Sequence, residues 1–444
     1  MGYPIRGEMW NLALMPEVTY GTDISGATYY TWFPGVFQNV SVPDPVMEFN
    51  PFYMLGINSY RNWYVAYKGK MTLSGGIPEM LLLNGTSLYL PIGLQTTFGQ
   101  IVGGDSARTA VACSRGDVIF GVSTLGSLAA GDNIQLNSSA IGASSPIFGP
   151  EVRQVVSVSA ATSYVAVTKP LMYNHPATDK AYKVSGTYYH VVTESVNLES
   201  VGMHVTIADT TQTNKLMRRF NGGKVGRASL SAREGEYLTF SLEDLNFIRF
   251  TTDQTSAIVY YNSTMINPSP VYPSTEPYLF SYGSLALNGT VFARIRGFRL
   301  EISNNLQPKY YVTQSGQTQL PYEYREGQRQ YRCSVDIDIE DASLYRELLL
   351  QGTYTNVYKG FSMALNFTRG TNDAIYINSP AGTSPITSPG TPGTPAVVGN
   401  AMGCLIQNGK HDLASNESIT HVTLDIIVRS IGIVIVDSLG YLPE

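Results

Sequence analysis

The sequence predicts a mainly β protein: an antiparallel β sandwich or barrel with one or two short α-helices and an inserted small β domain. Three observations point there. Apolar and polar residues alternate with a period of two in several segments, which turns one set of side chains to a core and the other to a second surface. Charged residues make up only 14% of the chain while Tyr reaches 30 copies and Gly 42, against roughly a quarter charged in a typical soluble domain, and that balance favours strands and turns. Helical periodicity is confined to two short stretches. With 444 residues and 43% hydrophobic content, the chain can bury more than one core, so two or more compact units are expected.

In chain order, the first helical stretch is IPEMLLLNG, predicted as helix from Pro78 to about Leu83 with Gly85 as a stop. Composition changes near Cys113. From about Arg115 to Val184 the charges thin out, and the text reads as short strands separated by Gly-Asp and Ser-rich turns. The domain organisation expected is a body in residues 1–112 and 188–444, interrupted by a barrel-like insert at 113–187. At Asn221 and Gly222 a short turn opens NGGKVGRASLSAREGEYLTFSLEDL, a hairpin with Glu234–Gly235 as its second turn.

Further on, FRLEI sets Phe298, Leu300 and Ile302 against Arg299 and Glu301. In CSVDIDIE, Val335, Ile337 and Ile339 oppose Asp336, Asp338 and Glu340. Each buried aliphatic side chain of this kind stabilises by about 1.5–3 kcal/mol, so a few such strands drive sheet packing. The acidic side of this strand is either an ordinary solvated surface or a functional lining. EDASLYRELLLQG follows as the second helix, capped by Asp341, striped by Leu344, Tyr345, Leu348 and Leu349, and stopped by Gly352. Residues 379–399, rich in Pro, Gly, Ser and Thr, form an exposed loop. HVTLDI closes the series with Val422, Leu424 and Ile426 facing inward.

Catalytic and metal-binding patterns are missing from this text. His175, His190, His204, His411 and His421 are scattered without ligand spacing, so no metal or other cofactor is implied. The Gly222–Lys224 triplet lacks the hydroxyl residue and the earlier glycine of a phosphate loop. Cys113, Cys333 and Cys404 are odd in number and far apart, which fits buried thiols. A formal net charge of -5 offers no basic footprint for tight DNA binding. Neither a signal peptide nor a membrane-spanning apolar run is read, so a soluble protein made in a cytoplasm is expected.

Several of these segments together resemble the major tail tube protein of long-tailed bacteriophages. The hairpin from Asn221 through Gly222 and Gly235 is similar to a recurring stretch of that family. ARIRGFRLEISNNLQPKYYV closes a strand at Asn304 and Asn305 in the family's manner, and REGQRQYRCSVDIDIEDASLYRELLLQG matches its strand followed by a short helix. PEVTYGT, with Glu17, Tyr20 and Gly21, looks like its opening strand. The insert and the Pro-rich loop depart from the minimal pattern. The resemblance implies a structural virion protein, not an enzyme. It also implies hexameric rings stacked into a tube, the Asp341–Leu349 helix packing between subunits, and a lumen that holds the tape measure protein and then passes DNA without binding it. Asp336, Asp338 and Glu340 would repel phosphates there. A capsid, decoration or baseplate component shares this composition, and a carbohydrate-binding adhesin would use the Tyr residues with Trp10, Trp32 and Trp63.

Overall fold

The computed structural model describes residues 10–17, 19–22, 40–52, 65–82, 95–98, 102–104, 108–109, 111–114, 116–137, 151–167, 171, 175–177, 179–185, 188–194, 198–208, 215–253, 276–287, 290–292, 294–311, 319–338, 362–370, 373–379, 404–412 and 421–437. Among them the fold is β throughout, with a single turn of 3-10 helix at Phe280–Tyr282.

An 11-stranded antiparallel sheet forms the body. Its main path runs Pro45–Phe52, Val65–Leu81, Thr239–Phe247, Lys215–Arg233, Ile295–Ser303, Gln330–Asp338, His421–Val428 and Leu405–Asp412. The strand Lys215–Arg233 belongs to two parts of it. Its second half pairs with Thr239–Phe247 and Ile295–Ser303, while its first half pairs with Val201–Ala208 and Arg249–Asp253, and Trp10–Pro16 adds to Val201–Ala208.

Alternation decides which way this sheet faces. Phe240, Leu230, Leu300, Cys333 and Ile426 stand side by side on successive strands, and all are buried. Ala232, Phe298, Val335 and Leu424 make the next such row. A second sheet covers them, ordered Thr290–Phe292, Gly283–Leu287, Met363–Gly370, Asp373–Ser379, Gly432–Asp437, Tyr188–Thr193 and Gln95–Phe98. Phe298 and Phe367 meet across the interface with ring centroids 5.4 Å apart. One apolar cluster runs through both sheets, so the body is a β sandwich. All three cysteines are buried free thiols, and burial pushes Cys333 up to about 12.

A separate 7-stranded sheet is built from residues 102–185, with its own apolar cluster from Cys113 to Ala181. The chain arrives on Val102–Gly104 and leaves on Lys180–Ser185, and these two strands pair with each other. Inside it, Cys113 and His175 exchange backbone hydrogen bonds of 2.9 Å, and the buried His175 Nδ1 lies 2.8 Å from Asp179 Oδ2.

Three local expectations are corrected. The stretch from Pro78 is not helical: Val65–Leu81 is one strand with a bulge at Pro78–Glu79, where Leu242 faces Ile77 but Phe240 faces Met80. The extra residue turns Ile77 and Met80, three apart, to the same core, which mimics a helical stripe in the sequence. Asn221–Gly223 is not a turn between strands but a bend inside the 19-residue strand Lys215–Arg233. Finally, the opening strand is Trp10–Pro16, and Glu17, Tyr20 and Gly21 lie in the turn after it. The helix at Asp341–Gly352 and the loop after Ser379 lie outside the described residues.

Candidate functional site

The sandwich leaves the far face of the long sheet to polar and charged residues. Ser241, Ser229, Glu301, Arg332 and Ile427 form one row across five strands, and Thr239, Ser231, Arg299, Ser334 and Asp425 form the next. Strand alternation puts these residues there by the same rule that buries their neighbours.

Charges on this face are interleaved. Glu243 receives Arg227 Nε at 3.1 Å, Arg299 Nη2 at 2.5 Å and the Ser229 hydroxyl at 2.7 Å. Arg227 also reaches Glu301 at 3.7 Å. Asp336 and Asp338 lie on the same face, but neither is a bare acid. Thr423 Oγ1 donates to Asp336 at 2.6 Å; Asp338 accepts from Arg296 Nε at 2.9 Å and pairs with His421. The acidic strand foreseen in the sequence is thus one column of a charge-balanced lattice. The basic partners of Asp338, Arg296 and His421, come from other strands, as do Arg227 and Arg299, which pair with Glu243, and register alone brings each pair into range. Glu340 lies outside the described residues, as do Asp341, Leu344, Tyr345, Leu348 and Leu349.

The remaining residues singled out in the sequence converge, Gly235 excepted, on the bend of the long strand. The buried Glu17 carboxylate accepts the Gly21 amide at 2.8 Å and the Gly222 amide at 2.6 Å, with Ser200 as a further donor. Burial pushes its pKa up; those hydrogen bonds and the Arg249 charge pull it back only in part. Gly222 sits at φ +68°, and a Cβ there would stand 2.3 Å from Ile248 Cγ1. Tyr20 takes the Tyr324 amide on its hydroxyl at 3.0 Å and lies beneath Lys224, which pairs with Glu326 at 2.6 Å. Burial pushes the Tyr20 hydroxyl up to about 12.

Asn304 donates from Nδ2 to the Val225 carbonyl at 2.8 Å and accepts Arg329 Nε at 2.8 Å, while Asn305, at φ +46°, donates to the Gln328 carbonyl at 2.6 Å. Together they are a polar seam that fixes where the sheet bends. Gly235 lies apart, at φ +78° in the hairpin turn after Arg233.

At one end of the long sheet, Pro45–Phe52 and the first half of Val65–Leu81 form a two-stranded arm. Val46, Phe49, Phe52 and Tyr67 on it are each more than half exposed, and Phe52 packs edge-on against Tyr67 at 5.4 Å. Their missing alternation hid them: an arm exposed on both sides has no inward face to betray it. Trp32 and Trp63 lie outside the described residues. No three His, Cys, Asp or Glu among the described residues are placed to hold a metal, and no helix there is long and apolar enough to cross a membrane.

A family model described as phage tail tube protein matches residues 13–400. No curated protein matches the chain.

Proposed function

The chain belongs to the phage tail tube protein family, which makes it a structural protein of the virion tail, and from that premise we propose that its copies close into hexameric rings and stack as a hollow tube. The polar face of the long sheet lines the bore. The observation that carries this reading is the two-sidedness of that sheet, with one face sealed by the second sheet and the other a wide lattice of paired charges.

A bore of this kind suits DNA in transit. A basic wall would hold phosphates by releasing their counterions, whereas paired charges present little net field beyond a Debye length, about 8–10 Å. Asp336 and Asp338 belong to that wall, and the tape measure protein occupies it before DNA does. The outer strands Pro45–Phe52 and Leu405–Asp412 supply edges that a neighbouring subunit extends. The Asp341–Leu349 segment packs between subunits, and the inserted sheet, which begins at Val102 and not at Cys113, is carried outside the wall on its paired first and last strands. Synthesis takes place in the host cytoplasm.

Electron microscopy of the purified full chain tests the proposal. Tubes of uniform bore with six-fold rings are expected, with the charged face toward the lumen in a reconstruction. A monomer that persists at every concentration, or tubes whose bore is lined by the second sheet, would reject it.

A further inference from the structure

The inserted sheet carries an exposed face that the proposed tube wall leaves unassigned. One side of this sheet packs on its own apolar cluster. On the other, Ser159, Tyr164 and Gly121 stand in a cross-strand row, which Val111 extends by donating its amide to the Gly121 carbonyl at 2.8 Å. Ser157, Ala166 and Ile119 form the row beside it. Neither row contains a charged residue.

Tyr164, Ile119 and Val111 are each about half exposed. Gly121 makes the close approach of Val111 possible, because a Cβ there would meet Val111 Cγ2 at 2.7 Å, while Tyr164 Cε1, at 3.6 Å, would be in ordinary contact. Val111 therefore covers the glycine, with the Tyr164 ring beside it, and the two make one flat, half-exposed shelf. Beside the ring, exposed Thr162 Oγ1 donates to Ser159 Oγ at 2.8 Å, so the Ser159 hydroxyl proton is directed elsewhere.

We propose that this shelf binds a neutral polysaccharide. The Tyr164 ring stacks on the C–H face of a sugar ring, and Ser159 hydrogen-bonds its hydroxyls. Chemistry selects this partner over others. Nucleic acid or an anionic peptide needs cations that the two rows lack. A purely apolar ligand would strip water from Ser157, Ser159 and Thr162 without replacing it. A neutral sugar chain offers polarised C–H groups to the negative ring face and hydroxyls to the serines, and its extended form suits an open shelf. The inference rests on the insert alone and stands or falls apart from the tube reading.

Isothermal titration calorimetry of the full chain with maltohexaose, cellohexaose and chitohexaose, and with an acidic oligogalacturonate, tests it. At least one neutral sugar is expected to bind. Tyr164→Ala should weaken that binding about tenfold or more, and Tyr164→Trp should hold it within about threefold. Circular dichroism checks that the variants keep the fold. The proposal is overturned if no neutral sugar binds, if the acidic one binds as tightly, or if Tyr164→Ala binds as the parent does. It is equally overturned if Tyr164→Ala lowers the sedimentation coefficient, which would make the shelf a contact between copies.

Discussion

His204 makes the strand Val201–Ala208 sensitive to acid. Its imidazole is buried opposite Arg219 on the neighbouring strand, and burial first, then the Arg219 charge, lower its pKa from 6.5 to about 3. The unfolded chain therefore takes up this proton near pH 6.5 and the folded chain only near pH 3. Its contribution is complete above the unfolded value and lost as pH falls toward the folded one. At pH 5 the loss is about 2 kcal/mol. Glu17 works the other way, since its raised pKa lets the folded chain gain a proton first as pH falls, and acid then favours folding. Replacing His204 isolates its share. Urea unfolding midpoints should fall between pH 7 and pH 5 for the parent and fall less for His204→Phe; equal falls would place the acid sensitivity elsewhere.

Strands and turns differ in how plainly they can be read from the text. Where one face is buried and the other wet, alternation was legible: Phe298, Leu300 and Ile302 are buried as their pattern foretells, and so are Val335, Ile337, Val422, Leu424 and Ile426. Bulges broke the rule. At Pro78–Glu79 one added residue changes the apparent period, so the stretch from Pro78 imitates a helix. The bend at Gly222 looked like a turn because what holds it straight enough to pair on both sides is Glu17, a carboxylate 205 residues away. Ion pairs such as Arg299 with Glu243 were equally hidden, because no local pattern announces which strands will become neighbours.

The arm was the element least visible in the sequence, and it carries a prediction of its own. A two-stranded ribbon is marginal in water, and this one exposes Phe52 and Tyr67, so in the proposed tube another copy is expected to cover it. Phe52→Ser with Tyr67→Ser should leave the unfolding midpoint of the monomer nearly unchanged, within about 0.5 kcal/mol for surface sites, and abolish tube formation. Tubes of normal length from the double variant would assign the arm to no assembly contact.

At the scale of the whole molecule, the balance of charge on the long sheet matters more than any one acid. Reversing Asp338 would confound the test, because a lysine there would face Arg296 and His421 in a partly buried place and unfold the sheet by repulsion. Glu301 and Asp425 are better choices. Glu301 holds Arg227 only at 3.7 Å, and Asp425 is exposed, so losing either costs at most about 1 kcal/mol. Glu301→Lys with Asp425→Lys adds four positive units per subunit to a face that is otherwise balanced, and six subunits repeat them around each proposed ring. Tubes should still assemble, while DNA ejection slows markedly at low salt and recovers as salt rises, since phosphate binding by lysine weakens steeply with salt. The neutral pair Glu301→Gln with Asp425→Asn should slow ejection far less. Ejection at the parental rate through lysine-bearing tubes at low salt would mean that this face looks outward and that another surface lines the bore.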